Sequence, residues 1–279
     1  MQRLRPLTSP ATLKSVRVRI PYFQINAFTS KTFGGNPAGV CLLPSWLPDG
    51  TLKNIAAENE LSETAFLVRQ QDFFDLRWFT PAVEVDLCGH ATLASAFALF
   101  HELGHKSESI RFQTKSGALI ATRRNKIIEL DFPSRPPRQC APPEKLLQGL
   151  GSKPAEVLRS RDYLAVFSSP EEVAALKPKF DLLCQLDSLG VIVTARDHEA
   201  DFVSRFFAPA AGIDEDPVTG SAHCTLIPFW AERLRKQEMF AKQISKRGGE
   251  LFCRLMGDRV SIGGQAVVYL RGEIESEPL

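Results

Sequence analysis

Residues 77–92 read RWFTPAVEVDLCGHAT, and residues 205–223 read RFFAPAAGIDEDPVTGSAH. Each stretch begins with Arg, an aromatic, Phe, a small residue, Pro and Ala, in that order. Each then reaches a glycine followed by a polar residue and alanine: Gly89-His90-Ala91 and Gly220-Ser221-Ala222. The openings are offset by 128 positions and the glycines by 131, so the second copy carries three extra residues. Helix-like apolar sequence follows both, LASAFALFHEL and LIPFWAERL. A repeat of this period indicates duplication of a domain-sized unit.

Between the copies, residues 133–143 read PSRPPRQCAPP, with five prolines in eleven positions. Proline removes backbone donors and restricts its neighbour, so this stretch forms neither a regular helix nor an inner strand. It reads as a domain connection, with a surface loop inside one domain as the other reading. The expected division is an N-terminal domain over 20–131, a connection over 132–144 and a C-terminal domain over 145–260. Residues 261–279 form a closing strand and tail that returns to the N-terminal domain.

Strands are expected from Val16 to Ile25, Ala65 to Arg69 and Phe73 to Phe79, and again around Ser109–Thr122 and Lys126–Phe132. In the second half they are expected at Tyr163–Phe167, Gly190–Thr194, Leu251–Leu255 and Ala266–Leu270. Residues 91–103 are apolar on nearly every face, which predicts a buried central helix. Asp49 is placed to cap a helix running to Asn59. Ser169-Pro170-Glu171-Glu172 supplies a cap, a proline at the first helical position and an acidic first turn. Pro228 should bend or break the helix over 222–235.

The 279 residues carry 34 Lys and Arg against 32 Asp and Glu, a net charge of +2. This balance gives no broad electrostatic attraction to nucleic acid. No apolar run approaches the roughly 20 residues that a membrane helix requires. The basic start, MQRLRPLTSPATLKSVRVR, lacks a secretory apolar core and reads as an extension or a transit segment. Six scattered cysteines without a CxxC pair indicate a reducing, cytoplasmic compartment and no structural disulfide. No His or Cys cluster has the spacing of a metal site, and neither a Walker loop nor GxGxxG is present.

Four polar segments sit among Gly, Pro and small residues: FTSKTFGGNPAGVC at 28–41, ENELSETAF at 58–66, FTPAVEVDLCGHAT at 79–92 and GIDEDPVTGSAH at 212–223. Such composition brings donors close to a ligand. The helix starts at Gly89-His90 and Gly220-Ser221 carry free N–H groups suited to a carboxylate.

From Tyr22 to Glu273 the chain resembles the PhzF-like (phenazine biosynthesis) proteins, which share the diaminopimelate epimerase fold. The motifs that carry the resemblance are GNPAGV, LSETAF, FTP…E…CGHATLA, EDPVTGSAH and RGGELFCRLMGDRVSIGGQAVVYLRGE. The resemblance implies an α+β fold of two pseudosymmetric domains, each a curled, largely antiparallel sheet around a central helix, with the site between them. It also implies a homodimer and a cofactor-independent isomerase acting on a small hydroxylated or amino-bearing carboxylate. Glu63 then corresponds to the catalytic acid/base, and His90, Asp216 and Ser221 to active-site groups. Burial and a nearby Asp216 would raise the Glu63 pKa.

Cys88 leaves alternatives open. Related epimerases use two opposed cysteines, and Cys88 occupies the first such position, but Thr219 stands at the second. A threonine hydroxyl is a poor acid/base at neutral pH. Amino- or imino-acid racemase or dehydratase chemistry using Cys88 is the second reading. A non-catalytic metabolite-binding or protein-interaction protein is the third.

Overall fold

The computed structural model describes residues 18–276. Of the basic N-terminal segment read as an extension or a transit segment, residues 1–17 lie outside them, and Val18 and Arg19 belong to the first strand. The first half contains β1 (Val18–Ala27), β2 (Asn36–Leu43), α1 (Asp49–Asn59), β3 (Glu63–Arg69), β4 (Phe74–Phe79), β5 (Glu84–Val85), α2 (Gly89–Phe97), β6 (Ser109–Thr114), β7 (Gly117–Arg124) and β8 (Ile127–Pro133). The second contains β9 (Arg138–Gln139), α3 (Glu144–Leu150), β10 (Glu156–Arg159), β11 (Tyr163–Val166), α4 (Pro170–Ala175), α5 (Phe180–Leu183), β12 (Val191–Arg196), β13 (Phe202–Ala208), β14 (Ile213–Asp216) and α6 (Gly220–Leu234). It continues through β15 (Glu238–Gln243), β16 (Gly249–Met256) and β17 (Arg259–Gly264), and the chain closes with β18 (Ala266–Ser276).

The result is an α+β fold on one continuous mixed sheet. From β1 the ladder runs antiparallel to β2, parallel to β3, antiparallel to β4, parallel to β6, then antiparallel through β7 and β8. From β10 it runs antiparallel to β11, parallel to β12, antiparallel to β13, parallel to β15, then antiparallel through β16 and β17. The two series meet where β8 pairs with β17. β18 pairs along β1, so the chain end lies against its beginning.

Burial follows from which faces are covered. β12, VIVTAR, is buried from Val191 through Ala195. One face meets the core that holds α6, and the other meets residues of α3, α4 and α5. Strands covered on both faces read as continuous apolar runs. β7 and β16, with one solvent face, alternate instead. On the first half, α1 covers the outer face through Leu52, Ile55 and Ala56.

The sequence of α2, GHATLASAF, is almost wholly buried because its small side chains let the strands close around it. Thr92 and Ser95 would be costly there without partners, but each hydroxyl donates to the carbonyl four residues back, at 2.6 and 2.7 Å. The helix ends in a π-helical turn over Ala98–Glu102.

One local expectation is corrected, and one of two alternatives at Pro228 is removed. Asp49 does not cap α1: Pro48 occupies that position, and the Asp49 carboxylate instead pairs with Arg77 at 2.9 Å. Pro228 does not break α6, which is continuous over fifteen residues. A proline there leaves the Cys224 carbonyl without its helical donor. The Arg135 N–H, from the proline-rich segment, supplies the missing bond at 2.9 Å. That segment also contributes β9, a two-residue strand against β10.

Candidate active site

The N-termini of α2 and α6 abut through glycine. A Cβ built on Gly89 would stand 3.3 Å from the Gly220 Cα. A methyl group at Gly89 would therefore press on the start of α6, whereas one at Gly220 would meet Gly89 Cα at 3.4 Å, an ordinary contact. Around this junction the fold gathers residues from four separate segments.

Glu63 opens β3, directly after the turn that ends α1 with Glu60 at φ 48°. Asn59 Nδ2 donates to Thr64 Oγ1 at 3.0 Å and pins that turn. His90 lies in the first turn of α2, and Cys88 is its N-cap residue without acting as a side-chain cap. The His90 ring contacts both neighbours: Nε2 is 3.2 Å from Glu63 Oε2, and Nδ1 is 3.5 Å from Cys88 Sγ. Glu63 Oε2 and His90 Nε2 face each other at 3.2 Å without an aligned hydrogen bond, and neither has another hydrogen-bond partner among the described residues.

Asp216 ends β14. Asn36 Nδ2, from the start of β2, donates to its Oδ1 at 2.8 Å, and the Thr219 hydroxyl donates to its Oδ2 at 2.5 Å. The Asn36 bond joins segments 180 residues apart. Ser221 stands nearer solvent, where its Oγ accepts from Arg161 Nη2 at 3.2 Å. The fold therefore gathers Glu63, Cys88 and His90 tightly. Asp216 acts on Glu63 through its charge, and Ser221 lies at the rim of the junction.

Burial dominates the electrostatics. It pushes the Glu63 pKa up to about 8; the Asp216 charge adds to this, and a hydrogen bond from the Cys88 thiol partly offsets it. Asp216 is itself raised by burial to about 6, against the stabilising bonds from Thr219 and Asn36. Burial lowers His90 to about 3 and raises the Cys88 thiol well above its usual value. At neutral pH the site holds a protonated Glu63, a charged Asp216, a neutral His90 and an intact thiol.

These shifts predict a pH signature in stability. Glu63 binds its proton more tightly in the folded state, so its stabilising contribution is full below the unfolded value near 4.5 and is lost as pH rises through about 8. His90 behaves oppositely: its contribution is full above 6.5 and is lost as pH falls through about 3. Between pH 6.5 and 8, wild type should lose about 2 kcal/mol relative to Glu63→Gln. Calorimetric melting of the two proteins across that window checks this; parallel curves would contradict the Glu63 assignment.

Glu63, Cys88 and His90 could each offer one ligand atom within 4.8 Å of the others. The two nitrogens of the single imidazole face different partners, Nε2 toward Glu63 and Nδ1 toward Cys88, so one ring orientation cannot turn the same nitrogen to an ion shared with both. The set suits proton transfer better than ion binding.

Several contributors escaped sequence reading. Asn36 lies inside the GNPAG segment, but nothing there signals a bond to Asp216. Gln243 and Arg161 carry no motif signal at all. His223, fully buried, has its Nδ1 2.8 Å from the Thr219 carbonyl and steadies the start of α6.

Residues 25–272 match the family model of the phenazine biosynthesis-like proteins, PhzC-PhzF. An uncharacterized isomerase of Pseudomonas aeruginosa is 52% identical over 258 residues, covering 92% of this chain and 99% of that protein. The crystal structure of a PhzF-family phenazine biosynthesis protein from Enterococcus faecalis is 45% identical with a TM-score of 0.90, over 92% of this chain and 99% of that one. A hydroxyproline epimerase from Agrobacterium vitis shares the fold alone, at 12% identity and a TM-score of 0.59, over 95% of this chain and 93% of that one. The chain belongs to the phenazine biosynthesis-like (PhzC-PhzF) family and is an enzyme of its isomerase type.

Proposed function

We propose that the chain isomerises a small hydroxylated or amino-bearing carboxylate without a cofactor, with Glu63 carrying the proton. The observation that supports this most is the largely buried Glu63 carboxyl set 3.2 Å from His90 Nε2, where burial and the Asp216 charge both favour its acid form. The Glu63 carboxylic acid delivers its proton to one carbon of the ligand. The resulting carboxylate recovers a proton from another position on the same face, so the acid is regenerated as the isomeric product forms. Neutral His90 contacts the ligand, while Ser221 and the abutting helix starts at Gly89 and Gly220 hold its carboxylate.

Support for Glu63 over Cys88 is geometric as well as electrostatic. Burial keeps the Cys88 thiol protonated. The residue at the opposing position, Thr219, donates its hydroxyl proton to Asp216. Neither half of a two-thiol device is ready to act. Cys88→Ser should retain activity within about tenfold, because it removes a neighbour of the proton carrier and not the carrier. Single-turnover kinetics on a substrate found by screening small carboxylates in heavy water measures this. A folded but inactive Cys88→Ser beside an active Glu63→Gln would favour the racemase or dehydratase reading.

We also infer that residues 20–131 and 145–260 are pseudosymmetric domains joined by 132–144, with the site between them. The matching order of parallel and antiparallel pairings in the two halves supports this, as do the identical burial patterns of β7 and β16. Two further parts of the reading are a homodimer and residence in the cytoplasm. All six cysteines are free thiols, which suits a reducing compartment. Sedimentation of the purified chain tests the dimer.

A further inference from the structure

Gln243 ends β15 with its side chain almost fully buried, and no motif or assigned role attaches to it. Its single amide makes three bonds to one short turn. Oε1 accepts from the Thr219 backbone N–H at 2.8 Å. Nε2 donates to the Asp216 backbone carbonyl at 2.8 Å and approaches Thr219 Oγ1 at 3.1 Å. This pattern fixes the orientation of the amide. Turned over, it would set its NH2 against the Thr219 N–H and its oxygen against the Asp216 carbonyl.

The orientation has a consequence for the protons. Because Gln243 donates into the Thr219 hydroxyl oxygen, the hydroxyl must direct its own hydrogen elsewhere. The acceptor in reach is Asp216 Oδ2 at 2.5 Å. Asn36 Nδ2 donates to the other oxygen, Oδ1. Both Asp216 oxygens therefore receive hydrogen, an arrangement that favours the carboxylate over the acid.

We propose that Gln243 is a positioning residue for the reaction: by clamping the Asp216–Thr219 turn it aims the threonine proton at Asp216, keeps Asp216 a charged acceptor, and so holds Glu63 as the group that carries the proton. This rests on the Glu63 reading above and adds to it the part that sets the division of labour between the two carboxyls. Thr219 gains a role as well. It stands where related epimerases carry a second thiol, and its hydroxyl is the relay between Gln243 and Asp216.

The test reads the Glu63 carboxyl directly, without a substrate. Infrared difference spectra of the full chain, titrated with and without Glu63→Gln, isolate the band of the protonated Glu63. Gln243→Met removes all three bonds and conserves bulk. Asp216 then loses its directed donor, holds its proton more readily and ceases to repel charge on Glu63. The Glu63 band should vanish about one pH unit lower than in wild type. Should Gln243→Met fail to fold, Thr219→Val keeps the clamp's backbone bonds, removes only the relay hydroxyl, and should shift the band the same way. A merely structural role for Gln243 would lower melting temperature and leave the Glu63 titration where it was. An unshifted band in folded Thr219→Val overturns the proposal even if Glu63→Gln is inactive. A shifted band with an active Glu63→Gln would leave Gln243 in control of the Glu63 titration but overturn both its part in the reaction and the Glu63 proton-transfer reading.

Discussion

Glu63→Gln should lower turnover by roughly 10³-fold or more while leaving fold and much of the ligand affinity in place. Glutamine conserves size and hydrogen bonding but cannot release and recover a proton. The size of the effect follows from the surroundings. His90 is neutral, Asp216 is charged with both oxygens occupied, and the Cys88 thiol is held protonated by burial. No neighbour in the cluster is poised to replace the lost acid. Deuterium incorporation from solvent, followed by mass spectrometry alongside single-turnover rates, separates loss of proton transfer from loss of binding. Retention of more than a tenth of the wild-type rate would remove Glu63 from the central role.

Gly35→Ala should destabilise the fold by about 3–4 kcal/mol, a large value for one methyl group. Gly35 has φ +64°, and a Cβ there would stand 2.2 Å from the Ala27 carbonyl oxygen, a backbone atom that cannot turn away. The residue also joins the halves. Its N–H donates to the Gly248 carbonyl at 2.8 Å, and its carbonyl accepts from Arg247 Nε at 2.8 Å. The next residue is Asn36, so displacement of this turn would withdraw the donor from Asp216. Gly104→Ala is the control. Gly104 has nearly the same φ, +67°, but nothing within 4 Å of an added Cβ, so it should cost only about 1 kcal/mol. Urea denaturation of both variants measures the difference. Equal losses would mean that backbone conformation, and not the clash with β1, governs the site.

The legible part of the molecule was whatever lies close together in sequence. The RWFTPA and RFFAPA copies precede the two buried helices, and the Gly89 and Gly220 motifs sit at their starts. Glu63, Cys88, His90 and Asp216 were all marked by motifs, and the fold brings the first three into contact. Bonds across long separations were not legible. The Asn36–Asp216 bond spans 180 residues, and Gln243 reaches Thr219 from another strand. The break offered at Pro228 is absent for the same reason: the chain supplies a donor to the freed Cys224 carbonyl from Arg135, far away in sequence. At Asp49 the local capping signal lost to an ion pair with Arg77, which only the packing of α1 on the sheet creates.

The central claim is that Glu63 holds a proton at neutral pH in the folded enzyme. The most direct measurement is the infrared carboxylic acid band of wild type minus that of Glu63→Gln, recorded across neutral and alkaline pH. The band should persist through neutrality and fall by half near pH 8. A difference band already absent below neutrality would show an ordinary, ionised glutamate and contradict the account.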